Sequence, residues 1–227
     1  MAHPYWPLFD LVVRTPVLEL RYPDDATFLE LIEAYHSGVF DGDNQFLHDW
    51  VNVPSPQRER DSLKWWWSQR SAFSPEQWRL ELAVFVDGRA VGMQSVDSSS
   101  FLKKRTVTSG SWLARPYQGR GLGKEMRTAI LHLAFDGLGA VEAYSAAFAS
   151  NAPSLGVSRS VGYLDNGTEI SLRGEVAAEQ VNFRMTRDRF AELRRDDIEI
   201  VGLEPCLEML GLAPDFSVLQ PKKGGDA

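Results

Sequence analysis

The run Trp112-Leu113-Ala114-Arg115-Pro116-Tyr117-Gln118-Gly119-Arg120-Gly121-Leu122-Gly123-Lys124 decides how this chain is read. It joins an expected strand, Thr106–Leu113, to an expected helix whose apolar stripe is Met126, Ile130, Leu133 and Ala134. Gly119, Gly121 and Gly123 remove side chains where a ligand must approach the backbone. The head of the helix adds unpaired N–H groups and the positive end of its dipole. Together these make an anion site suited to a pyrophosphate, with Arg120 and Lys124 adding charge at its rim. The spacing excludes two common alternatives. A dinucleotide fingerprint needs a sixth-position glycine, but that position is Lys124 counted from Gly119 and Met126 counted from Gly121. A P-loop needs Ser or Thr after its lysine, where Glu125 stands, and glycine where Gln118 stands. The pattern that fits is Q/R-x-x-G-x-G/A, carried by Gln118, Gly121 and Gly123.

A second segment, Asn151-Ala152-Pro153-Ser154-Leu155-Gly156-Val157-Ser158-Arg159-Ser160-Val161-Gly162-Tyr163, follows an expected strand at Val141–Ala146. Asn151 suits a helix N-cap and Pro153 a first helical turn. Ser154 and Ser158 share one helix face.

These two motifs, in this order and about thirty residues apart, resemble those of the GNAT acyltransferase superfamily. Serine at position 158, where many members carry tyrosine, resembles the ribosomal-protein-type (RimJ/RimL-like) branch. So does the opening run Thr15, Leu18, Leu20 and Arg21. The resemblance spans roughly Leu18 to Arg187. It implies an α+β GNAT fold: a mixed, mostly antiparallel seven-stranded sheet flanked by helices, with splayed central parallel strands at Thr106–Leu113 and Val141–Ala146. It implies acetyl-CoA or another acyl-CoA as co-substrate, held by Trp112, Leu113, Gln118, Gly119, Arg120, Gly121, Leu122, Gly123 and Lys124, with Asn151 and Ser154 beside the pantetheine arm. The activity implied is transfer of an acyl group, acetyl in the first instance, to a primary amine of a protein N-terminus or a small molecule. A succinyl donor and a non-catalytic acyl-CoA-binding module are the alternatives.

Within that chemistry Ser158 is the candidate general acid, and an N–H near Leu113 polarises the thioester oxygen. The base is less plain. Many members place a glutamate on the strand before the phosphate loop, yet Thr106–Tyr117 contains no Asp, Glu or His. Glu142 and Glu179, with Asp97 and Glu175, are the candidates from neighbouring segments, and His36 and His48 lie near the presumed acceptor side.

Composition sets the remaining bounds. A formal net charge of −7 argues against nucleic-acid binding and suits a cationic acceptor. The single cysteine, Cys206, forms no internal disulfide and reads as a small buried residue. No Cys/His cluster has metal-ligand spacing. The N-terminus does not read as a signal peptide, and no apolar stretch is long enough to span a bilayer. A reducing cytoplasm is the expectation. Trp65-Trp66-Trp67 falls on an expected helix, Gln57 to Ser71. Three consecutive helical residues cannot face one core, so one is expected in a groove, a lid or a contact with a second subunit. A single domain over residues 1–220 and a disordered tail over 221–227 complete the reading.

Overall fold

The computed structural model describes residues 3–40 and 45–212. The expected tail at 221–227 lies outside the described residues. Nine strands form one sheet: β1 (Val12–Arg14), β2 (Glu19–Arg21), β3 (Gln77–Val86), β4 (Arg89–Ser99), β5 (Thr106–Leu113), β6 (Glu142–Phe148), β7 (Leu164–Arg173), β8 (Val176–Thr186) and β9 (Glu199–Val201). Their order is β7-β8-β6-β5-β4-β3-β2-β1-β9. The pair β5 and β6 is parallel, and the other neighbours are antiparallel. The helices are α1 (Asp25–His36), α2 (Gln57–Ser71), α3 (Phe101–Lys104), α4 (Leu122–His132), α5 (Ala152–Ser160) and α6 (Arg187–Leu193). The class is α+β and the architecture the expected one, with two strands more than the expected seven. The additions, β1 and β9, are three residues each. So short a run shows no period-two alternation, and each strand exists through its neighbour rather than its own pattern.

Local chemistry explains the main elements. Asp24 caps α1 by accepting from Thr27 N–H at 2.7 Å. Phe28, Leu31, Ile32 and Tyr35 then form its buried stripe. Asp87 and Gly88 both have positive φ, 49° and 76°, as a two-residue hairpin between β3 and β4 requires. The polar stretch Ser98 to Arg105 contains α3, because Phe101 is fully buried against Trp78 at 5.4 Å between ring centroids.

Two apolar layers sandwich the sheet. On one face α1 and α2 pack Phe28, Leu31, Tyr35 and Trp66 against Ala83, Phe85 and Met93. On the other, α4 and the turn after it set Met126, Ile130, Leu133 and Phe135 against Leu80, Leu82, Val84 and Val107. The tryptophan run divides as helical geometry requires. Trp66 stacks on Phe28 at 4.4 Å, while Trp65 and Trp67 are exposed. Trp67 Nε1 donates to Asp25 at 3.3 Å.

The residues after α6 fasten α4 from outside. Arg195 makes a two-pronged ion pair with Glu125 at 2.8 and 3.1 Å. Its backbone N–H also reaches His132 Nε2 at 3.2 Å. Burial pushes the His132 imidazole down, toward its neutral form. Neutral His132 donates from Nδ1 to Asp136 at 2.9 Å and accepts at Nε2. Cys206 is buried as expected, and burial pushes its thiol up to about 12.

Phe135 is the central plug of the second layer, stacked on Phe190 at 4.7 Å and 1 % exposed. Phe135→Ala is expected to lower unfolding free energy by about 3–5 kcal/mol, read by urea denaturation. A loss below about 1 kcal/mol would contradict this packing.

Candidate functional site

The site begins where a ladder stops. Strands β5 and β6 pair at Thr106 with Glu142, Val107 with Ala143 and Thr108 with Tyr144, and no further. Beyond that, β5 runs on to Leu113 paired to β4, and β6 runs on to Phe148 paired to β8. Each strand follows its outer neighbour, so the arms 109–113 and 145–148 part into a V. Their facing backbone groups are left without each other as partners. The close approach of β4 to β5 at this point depends on Gly92. A Cβ there would lie 2.3 Å from the Trp112 carbonyl oxygen.

The loop 114–121 leaves the tip of β5 and turns into α4. Gly119 and Gly121 have φ of +70° and +82°, and a Cβ on either would meet open space. That combination fits a backbone exposed for contact rather than one packed into the core. Lys124 and Glu125 both donate to Gly121 O, at 3.0 and 3.2 Å. Among the described residues no acceptor takes the N–H groups of residues 119–123. Those amides, at the positive end of α4, form the concave donor set that an anion requires. Arg120 and Lys124 are exposed at the rim, with Arg120 over the Tyr117 ring at 5.6 Å. Leu122 and Gly123 instead face inward. Leu122 is buried, and a Cβ on Gly123 would lie 3.3 Å from Val157 of α5.

Gln118 spends its side chain on anchoring the loop. Its side-chain amide donates to Leu113 O at 2.7 Å and to Val39 O. Arg115 N–H donates to Gly38 O at 3.0 Å. These bonds stitch the loop to the end of α1. Asn151 likewise spends its side chain on a cap, accepting from Ser154 N–H at 3.2 Å. Ser154 is half-buried on the same helix face as Ser158, which is fully buried.

The candidate bases separate by position. Glu142 stands opposite Thr106, seven residues back along β5 from Leu113, which is roughly 23 Å of strand. It is held below the usual carboxylate range by hydrogen bonds from Arg184 and then Tyr144. Asp97 stands opposite Thr108, five residues back, and pairs with Arg79 at 2.8 Å. Burial pushes it up. Asp97 lines a cleft of about 350 Å³ with Trp65, Arg79, Lys104 and Thr108, on the α1–α2 face. Neither carboxylate joins the open arms. Glu179 is exposed beside the tip of β6, where its carbonyl accepts from Ala149 N–H at 2.9 Å. Strand alternation puts it on the α5 side, with Val181 and Phe183. Glu175 is exposed in the β7–β8 turn. His48 lies in the segment that meets this turn through Gly174 N–H to Leu47 O at 3.0 Å.

His36 is the last residue of α1. Its neighbour Tyr35 meets Trp112 edge-on at 6.2 Å, and Trp50 meets both rings. His36 Nε2 is 2.8 Å from Glu59 Oε1. That hydrogen bond, first among several, holds Glu59 down to about 2. Glu59 therefore stays anionic beside Nε2, while Nδ1 lies 3.8 Å from Glu33 Oε2. Sequence reading missed Glu59, Trp50 and a buried arginine, Arg127. Arg127 Nη1 contacts Ser145 Oγ at 2.8 Å and Ser158 Oγ at 3.5 Å, and its Nη2 contacts Ser111 Oγ at 3.2 Å.

Comparison with known proteins bears on the fold and the family. Among solved structures, the chain is similar to Mycobacterium smegmatis RimJ in complex with CoA-disulfide, at 17% identity and a TM-score of 0.67, covering 89% of this chain and 95% of that one. It is similar to a putative ribosomal-protein-serine acetyltransferase from Vibrio cholerae, at 19% identity and a TM-score of 0.59, covering 77% and 97%. It is also similar to the ribosomal L7/L12 alpha-N-protein acetyltransferase RimL in complex with coenzyme A, at 15% identity and a TM-score of 0.62, covering 78% and 99%. At such identities these likenesses speak for the fold. The family rests on residues 18–164, which match the family model described as "Acetyltransferase (GNAT) domain". With more than half of its length matched, the chain belongs to the GNAT acetyltransferase family.

Proposed function

We propose that this protein is an N-acyltransferase that moves an acyl group, acetyl in the first instance, from acyl-CoA to a primary amine. A protein N-terminus or a small amine is the acceptor. The observation that carries the reading is the set of unpaired amides at residues 119–123, placed at the open end of the β5–β6 split. The diphosphate of CoA sits on those amides, and the pantetheine arm lies between residues 109–113 and 145–148, where unpaired strand backbone can bond its amides. The thioester then lies beside Trp112 and Leu113, with a main-chain N–H of β5 polarising its oxygen.

The reaction needs a neutral amine at the carbonyl, a proton acceptor and a stabilised leaving thiolate. Positioning supplies much of the rate. Ser158 meets the sulfur from α5. His36, oriented by Glu59, takes the ammonium proton directly or through one water on the α1–α2 side. The aromatic group Tyr35, Trp50 and Trp112 walls that side and excludes bulk water. The absence of a carboxylate on Thr106–Tyr117 favours a second reading, an acyl-CoA-binding module without turnover. Thiol release on mixing acetyl-CoA with an amine panel separates the two: release supports transfer, and binding without release supports the module.

Four variants test the assignments. Gly121→Ala places a methyl where the diphosphate approaches and strains a left-handed residue by about 1–2 kcal/mol. CoA affinity by calorimetry is expected to fall at least about tenfold, a change of about 1.4 kcal/mol. Unchanged affinity would remove the diphosphate from this loop. Ser158→Ala is expected to lower kcat by about 10²-fold with little change in KM for acyl-CoA. His36→Ala is expected to lower kcat/KM for the amine by about 10²-fold, and Glu59→Gln by less, because it disturbs only the orientation of the ring. Wild-type kinetics in His36→Ala would pass the base role to another group.

A further inference from the structure

Arg127 is the most unusual charge in the molecule. It lies on α4, is 3 % exposed, and no carboxylate pairs with it among the described residues. Its polar neighbours are neutral: Ser111 of β5, Ser145 of β6, Ser158 of α5 and the buried Tyr163. Its Nε makes no hydrogen bond of good geometry, and Tyr163 is the remaining polar group that interacts with the guanidinium. Guanidinium keeps its proton even when buried, so the site holds a full positive charge in a low-dielectric pocket. Such a charge is costly when unpaired, and an apolar side chain of similar volume would fill the space at less expense. A carboxylate-free arginine therefore points to an anion that appears during function.

Its place says which anion. Ser145 is the first β6 residue beyond Tyr144, where the parallel ladder ends, and Ser111 lies three residues beyond Thr108 on the opposite arm. The guanidinium thus bridges the two arms at the vertex of the V. The same Nη1 that holds Ser145 also reaches Ser158 Oγ. We propose that Arg127 is a positioning residue for the leaving group: it orients the Ser158 hydroxyl toward the pantetheine sulfur and supplies the positive field that stabilises the departing thiolate. The inference rests on the acyl-CoA reading of this site. In the step it serves, the amine nitrogen forms a bond to the thioester carbon and the carbon–sulfur bond breaks. The bonding pair leaves on sulfur, the ammonium proton passes to the base, and Arg127 keeps its own protons. A serine alone is a weak acid for this task, and the charge behind it lowers the demand for full proton transfer.

The test compares wild type, Arg127→Met and Arg127→Lys in four measurements: calorimetric binding of CoA, calorimetric binding of desulfo-CoA, the ionisation of the bound CoA thiol followed by ultraviolet thiolate absorbance, and kcat with acetyl-CoA and an amine acceptor. Wild type is expected to hold the bound thiol below the ordinary thiol value of about 8.5. Arg127→Met is expected to return it toward that value and to lower kcat by about tenfold or more, with desulfo-CoA affinity changed less than about threefold. Arg127→Lys keeps the charge but loses the fork, so it is expected to fall between the two, and it carries the measurement if the methionine variant does not fold. An equal thiol pKa in wild type and both variants, with both nucleotides still bound, overturns the inference and leaves the CoA site standing. Failure of wild type to bind either nucleotide overturns the site itself.

Discussion

The structure turns on two parallel strands that stop pairing after three residues each. A sheet interior does not normally forgo its ladder, because every unmade backbone bond carries the cost of a desolvated polar group. Here β5 is held by β4 on one side and β6 by β8 on the other, so neither arm can close the gap. The parting is thus imposed by the outer strands, and in the function proposed here the gap is where a linear ligand with its own amides completes the pairing. The glycine-rich loop and α5 matter because they leave the tips of the two arms, at the open end of that gap.

What keeps the gap in register is the anchoring around it. Gln118 and Arg115 tie the loop to the end of α1. Arg195, through Glu125 and His132, ties α4 to the segment after α6. That segment then adds β9 to the far edge of the sheet, beside β1. Loop, helix and sheet edge are therefore braced from both ends of the chain, which is how amides on a glycine-rich turn can be presented without collapsing onto the protein.

Much of this was legible in the sequence, and the reasons differ by residue. Gly119 and Gly121 take positive φ and Asn151 caps α5, and such local features follow from spacing alone. The split between Thr106–Leu113 and Val141–Ala146 followed from the resemblance these motifs carry. Other features were hidden because they depend on distant partners. Glu59 and His36 meet across 23 residues. Arg14 and Glu199, which flank the β1–β9 contact, are 185 residues apart. Arg127 reads in the sequence as an ordinary surface position on a helix, and only its enclosure by three serines from three elements reveals it. Glu142 was attractive as a carboxylate on a central strand, but the register places it opposite Thr106, at the closed end of the V.

The central claim is that the main-chain amides at the head of α4 hold a diphosphate. Amide resonances followed through a titration of the isotope-labelled protein test it most directly, with CoA and with pantetheine, which lacks the diphosphate. The account predicts that the N–H signals of Gly119, Gly121 and Gly123 shift strongly downfield with CoA and stay put with pantetheine. Equal shifts with both compounds, or CoA-induced shifts confined to other parts of the chain, would contradict it.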